Sequence, residues 1–202
     1  QDLMDLISGL DARQSIAQIE VAADDENCML VFRHLEALSE SDLDKLTQFA
    51  KQTGFWLQLQ PGGADTVHAL YPEQQILRFK PLADSEIAIR FKATDFTQVN
   101  AGINQQMVKQ ALDFLDIQSD DKILDLFCGL GNFTLPMAEK AAQVTGIEGD
   151  EIMVNRAKEN ALEQGITNTE YFASDLTDID KTSSWMKQHY DKILLDPPRS
   201  GA

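Results

Sequence analysis

The sequence predicts an α/β protein, in which an incomplete doubly wound parallel sheet follows a small α+β domain. Two observations carry this. Strand-like pieces dominate residues 1–95, whereas over residues 96–202 strands alternate with amphipathic helices, a pattern that implies parallel pairing with right-handed crossovers. The second half also holds only about four strands, the newest of them bare at an edge, so the sheet reads as unfinished and the chain as an internal fragment.

In the first domain, Ser15 to Ala23 alternates apolar and polar residues, DDEN at 24–27 reads as a turn, and Cys28 to Leu35 is the return strand. A helix follows with Ser41 as N-cap, Asp44 three residues on, an apolar face of Leu43, Leu46, Phe49 and Ala50, and Gly54 as its stop. Phe55 to Leu59 is a strand ended by Pro61-Gly62-Gly63, and two more strands lie around Ile76 to Phe79 and Ile87 to Phe91. In the second domain, Asn104 can cap a helix whose inner face is Met107, Val108, Ala111, Leu112 and Leu115. Strand Lys122 to Phe127, a glycine turn, a helix over Asn132 to Lys140 and strand Gln143 to Glu148 come next. A helix from Asp150 to Gln164 stops at Gly165, and strands Thr169 to Ala173 and Lys192 to Leu195 complete the set.

Composition excludes several classes. Hydrophobic residues at 43% and charged residues at 25% rule out disorder. The sequence lacks an apolar run long enough for a membrane helix and a basic-then-apolar leader, so a cytoplasmic location without membrane contact is expected. Cys28 and Cys128 stand a hundred positions apart, which fits neither a disulfide framework nor a metal cluster. The net charge of −16, shared equally between halves split at residue 100, argues against nucleic acid unless a local basic surface answers it.

The chemistry concentrates in KILDLFCGLGNFT at 122–134. An apolar strand runs into Asp125, and Gly129 and Gly131 bracket a tight turn before a helix whose first N–H groups are free. Glu148, seventeen residues beyond Gly131, ends the next strand, where a carboxylate can take the two hydroxyls of a ribose. A dinucleotide site calls for a third glycine where Thr134 stands, and a pyrophosphate is repelled by Asp125. S-adenosyl-L-methionine has no phosphate and carries a cationic amino acid end, so it suits this Rossmann-like turn better. A second signal is LLDPPRSGA at 194–202: two prolines stiffen a loop that holds Asp196 at a strand's carboxyl end. Methyltransferases acting on amines usually carry an aromatic residue after the prolines, and Arg199 stands there instead.

Together these residues resemble the RNA (uracil-5-)-methyltransferases. The stretches TDFTQVNAGINQQMV (94–108), DLFCGLGNFTLP and LLDPPRSGA are most like the family's bacterial 23S ribosomal RNA branch. The resemblance implies a donor site made of Gln98, Phe127, Asn132, Glu148, Asp175 and Asp196, with Asp175 meeting the adenine amine. It also implies that residues 1–95 form a central RNA-contacting domain. There Arg78, Lys80, Arg90 and Lys92 either share a basic face for phosphate or are plain solvated side chains. Phe96 is either a platform for a flipped base or a core residue.

Carbon 5 of uracil is a poor nucleophile, so a cysteine thiolate adds to carbon 6 before the methyl group is taken, and a base later removes the proton. Cys28 on a strand and Cys128 inside the turn both read as structural. The resemblance places the nucleophilic cysteine and the base beyond Ala202, and a 4Fe-4S cluster before Gln1. The parent protein is thus expected to be an enzyme acting on 23S ribosomal RNA, with this segment inactive alone. Set against this are methylation of another RNA such as tRNA or of an amine, a nicotinamide-dependent oxidoreductase, and a non-catalytic nucleoside-binding module.

Overall fold

The computed structural model describes residues 2–178 and 182–198. The chain forms two compact units, one of residues 1–78 with 91–97 and the other of 79–90 with 98–202. Residues 79–90, part of the stretch read as the first domain, therefore group with the second unit.

In the first unit a short helix α1 (Leu3–Ser8) precedes a four-stranded sheet of β1 (Ile16–Ala23), β2 (Cys28–His34), β3 (Trp56–Gln60) and β4 (His68–Tyr71). The order is β1-β2-β3-β4, with β2 and β3 parallel and the outer pairs antiparallel. The parallel step is a crossover through α2 (Glu40–Thr53), which places Leu46, Phe49 and Ala50 on Leu30, Phe32, Leu57 and Leu59. Gly54 adopts φ +78°, the left-handed conformation that ends a helix at low cost. The helix starts earlier than expected: Ser39, not Ser41, is the N-cap, and its hydroxyl accepts from Asp42 N–H at 3.1 Å. Both serines have an aspartate three residues on, so that signal alone did not choose between them. Asp42 is buried and accepts from the N–H groups of Asp11 and Ala12 at 2.8 and 3.0 Å. Burial alone would raise its carboxyl, but those two donors and Lys45 outweigh it and hold it below its usual range.

Short strands β5 (Leu77–Phe79) and β6 (Ile89–Phe91) lie where the chain passes from one unit to the other. The second unit contains α3 (Ala101–Leu115), β7 (Lys122–Leu126), α4 (Thr134–Ala138), β8 (Gln143–Glu148), α5 (Glu151–Glu163), β9 (Thr169–Ala173) and β10 (Lys192–Leu195). The strands form one parallel sheet in the order β10-β7-β8-β9, with β10 at an edge, which gives the α/β Rossmann-like architecture. On one face, Ile123 and Val144 meet Val108 and Leu112 of α3 and Met137 of α4. On the other, Leu124 and Ile147 meet Trp185.

Two further helix starts differ from expectation. Asn100, not Asn104, caps α3, its side chain accepting from Ile103 N–H at 3.0 Å, while Asn104 is buried one turn inside. Helix α4 has only five residues, because residues 132 and 133 still belong to the turn. Asn160 on α5 and Gln164 at its C-cap clasp a stretch of extended backbone. Asn160 accepts from Arg90 N–H at 3.0 Å and donates to Arg90 C=O at 3.2 Å, and Gln164 treats Ala88 the same way, both at 3.2 Å. Residues 88 and 90 point their peptide groups the same way, so two amides four positions apart on a helix act as rungs of a β-ladder.

Candidate functional site

In a parallel sheet the strand ends converge at one edge, and here β7, β8 and β10 bring Asp125, Glu148 and Asp196 to it. Asp125 pairs in register with Gly146, and period-two alternation puts Glu148 on the same face two residues further along β8. Asp125 is fully buried, and its Oδ2 accepts a bond from the Thr134 hydroxyl. Its Oδ1 is equally buried and has no partner. Burial is the main cause raising its carboxyl to about 7, opposed by Thr134 and reinforced by the negative charges of Asp196 and Glu148. Asp196 lies just past the end of β10, and desolvation raises its carboxyl too.

The turn above this carboxylate is built by three residues with positive φ: Phe127 at +66°, Gly129 at +53° and Gly131 at +98°. Two are glycines, which adopt it freely, but Phe127 has a side chain and takes the left-handed conformation at a cost of about 1–3 kcal/mol. Such an outlier beside acidic strand ends makes the turn a candidate site. Glu148 is braced by the same turn: Oε2 accepts from Gly129 N–H at 3.0 Å and Oε1 from Gly149 N–H at 2.8 Å. Oε1 also accepts from Asp150 N–H at 3.4 Å, so Oε2 is the oxygen that keeps lone-pair capacity for a ligand.

The other expected ligand residues fall into three groups. Asn132 lies in the turn with its amide bonded reciprocally to that of Asn104, both bonds at 2.9 Å. Asp175 stands just past β9, next to Ser174, whose N–H donates to Glu148 C=O at 2.9 Å. Its Oδ1 accepts from the hydroxyl and N–H of Thr177 at 2.7 and 2.8 Å, and those bonds hold its carboxyl below the usual range. Gln98 is exposed in the loop before α3. Arg199 lies outside the described residues.

Both cysteines have structural settings. Cys128 is buried, its N–H donates to Ile147 C=O at 3.0 Å, and its Sγ lies 2.9 Å from where a Cβ on Gly146 would be. Burial pushes its thiol well above the usual range, with the charges of Asp125 and Glu148 adding to it. Cys28 is half-buried on β2, and burial raises its thiol too. The four basic residues divide between the units, Arg78 and Lys92 in the first and Lys80 and Arg90 in the second. Arg90 contacts Glu163 at 3.5 Å. Phe96 is 80% exposed, so its core reading fails. Sequence reasoning missed two participants. Thr134 was read only as an absent glycine, and Asn104 only as a cap.

A family model described as tRNA (uracil-5-)-methyltransferase matches residues 21–202. The "23S rRNA (uracil(1939)-C(5))-methyltransferase RlmD" of Xanthomonas euvesicatoria pv. vesicatoria is 48% identical over 197 residues, which is 98% of this chain and 44% of that protein. The protein of the same name from Stenotrophomonas maltophilia (strain K279a) is 46% identical over 200 residues, covering 99% of this chain and 45% of its own length. The chain thus spans less than half the length of the curated relatives it matches. Among solved structures, the Pyrococcus abyssi tRNA (uracil-54, C5)-methyltransferase in complex with S-adenosyl-L-homocysteine aligns with a TM-score of 0.63 and 17% identity, over 88% of this chain and 42% of that one. Trm5b from the same organism aligns at 0.53 and 12% identity over 98% of this chain and 56% of its own. At these identities the likeness is one of fold.

Proposed function

The chain belongs to the tRNA (uracil-5-)-methyltransferase family, and from that premise we propose that it carries the methyl-donor site of an enzyme that methylates carbon 5 of a uridine in 23S ribosomal RNA. The identity near 48% to proteins named for 23S ribosomal RNA favours that substrate over tRNA. The observation that carries the reading is the acidic carboxyl edge of the sheet, with Glu148 braced by the glycine turn and a buried Asp125 oxygen left without a partner.

These residues fit S-adenosyl-L-methionine. Glu148 would hold the ribose hydroxyls, Phe127 would pack against the nucleoside, and Asp196 would face the ammonium of the amino acid end. Gln98, Asn132 and Asp175 complete the proposed site. Bound there, the donor supplies an electrophilic methyl carbon. The chain's own part is to bind and orient it, and to keep water from one side of it with Phe127 and the packed turn.

Neither cysteine suits the addition to carbon 6. Cys128 is walled in with its thiol held protonated. The nucleophile, the base and an iron–sulfur cluster are therefore proposed for the part of the relatives' length that this chain does not span. Among the described residues no group of three or more His, Cys, Asp or Glu could hold a metal ion, and no helix is long and apolar enough to cross a membrane. A cytoplasmic location with the ribosomal RNA follows as part of the proposal.

Titration of the purified chain with S-adenosyl-L-homocysteine and, separately, with NAD tests the site. Binding of the first alone supports it, and binding of NAD alone overturns it. For the substrate, the longer protein is given labelled donor with 23S ribosomal RNA or tRNA. Label in 5-methyluridine of the ribosomal RNA is expected, and label confined to tRNA overturns that assignment.

A further inference from the structure

A buried carboxylate whose described titratable neighbours are all acidic has an unusual charge problem. Asp125 is surrounded by Glu148 from β8, Asp196 from the end of β10, the Cys128 thiol from the turn and the Tyr171 phenol from β9, and none of these is a cation. The neutral Thr134 hydroxyl from α4 donates to its Oδ2. Oδ1 is buried and has no hydrogen-bond partner among the described residues. An ionised Asp125 would thus stand in low dielectric beside two like charges and would be expected to take up a proton. Because Oδ2 already accepts from Thr134, that proton belongs on Oδ1, the oxygen left free.

We infer that Asp125 holds a proton on Oδ1 in the free protein and releases it when a ligand's ammonium group binds beside it, with Thr134 tuning the exchange. The step balances simply: the O–H bond of Oδ1 breaks, the proton passes to the buffer, and the carboxylate gains the ligand's positive charge as its counter-ion. The inference rests on the methyl-donor reading, since that ligand class brings a positive charge to this edge. It adds that the ligand's ammonium group takes the place of the proton beside Asp125. Titration near 7, the direction burial and the neighbouring carboxylates impose, makes the exchange matter at ordinary pH.

Calorimetry with S-adenosyl-L-homocysteine in buffers of different ionisation enthalpy counts the protons released. The probe lacks the sulfonium charge but retains the α-ammonium group of its zwitterionic amino acid end. For the native chain the count is expected to be highest below about pH 7 and to fall above it, with affinity rising up to about tenfold per pH unit below that point. Asp125→Asn abolishes the release. Thr134→Val removes a bond to the anion, so it moves the transition to higher pH, and Thr134→Ser restores it. A merely structural role for Thr134 would lower affinity without moving the transition. Should Asp125→Asn fail to fold, the valine and serine pair still decides the matter. Binding with no proton release at any pH, or a transition unmoved in Thr134→Val, overturns the inference and leaves the site reading intact. No binding at any pH overturns the site reading itself, and the inference with it.

Discussion

Asn104 and Asn132 hold each other's side-chain amides, each donating to the other's oxygen at 2.9 Å. One comes from the buried face of α3 and the other from the turn that follows Gly131, so the pair pins the turn to the helix that covers the sheet. Replacing Asn104 by Leu leaves the Asn132 amide unpaired in a partly buried place, at a cost of about 1–3 kcal/mol. Urea unfolding is expected to show this loss, together with weaker binding of S-adenosyl-L-homocysteine. Unchanged values in both measurements would mean the pair positions nothing.

Glu148→Ala removes the proposed ribose contact. Loss of charge-assisted bonds is worth about 1.5–3 kcal/mol, so calorimetry on the variant is expected to show affinity lowered about tenfold or more. An unchanged dissociation constant would take Glu148 out of the site.

Gly146 is required by its neighbours. A Cβ there would lie 2.8 Å from the Tyr171 ring and 2.9 Å from Cys128 Sγ, so Gly146→Ala is expected to cost about 1–3 kcal/mol. Adding Cys128→Ala to that variant relieves one of the two clashes and should return part of the loss. Likewise, in the native chain iodoacetamide is expected to label Cys28 ahead of Cys128, as read by mass spectrometry of digested protein.

Two buried aspartates predict opposite pH dependences. Asp42 is held below its usual range in the folded protein, so its contribution to stability is present above the unfolded value near 3.8 and is lost as pH falls through the lower folded value. Asp125 is raised to about 7, so its contribution is present below about 3.8 and is lost as pH rises towards 7. Urea midpoints across pH 3 to 8 are expected to flatten at the acid end in Asp42→Asn and between about 4 and 7 in Asp125→Asn. A wild-type slope retained in either variant would reassign that part of the curve.

The strands of the second unit were legible to the residue at β8, β9 and β10, because each is a short β-prone stretch bounded by polar or turn residues. The first unit was harder. Helix α1 has six residues and β4 has four, too short for periodicity to register. Helix starts slipped by two residues at Ser39 and four at Asn100, since several residues able to cap stand in a row and only backbone dihedrals choose among them. At the site, Asp125 and Glu148 were readable from their spacing to the glycines. The Thr134 bond to Asp125 was not, because it closes only once β7 and α4 pack. The left-handed backbone at Phe127 likewise leaves no mark in composition.

The two amide rungs that α5 extends to Ala88 and Arg90 bear on how this protein can be dissected. A truncation starting at residue 96 would delete that backbone and leave Asn160, otherwise 2% exposed, with its amide short of partners. The parallel sheet would keep its strands yet lose the segment that one helix holds like a borrowed strand. A shortened protein that retains residues 79–90, tethered by a flexible linker to residue 98 onward, preserves the rungs and is the smaller piece to express.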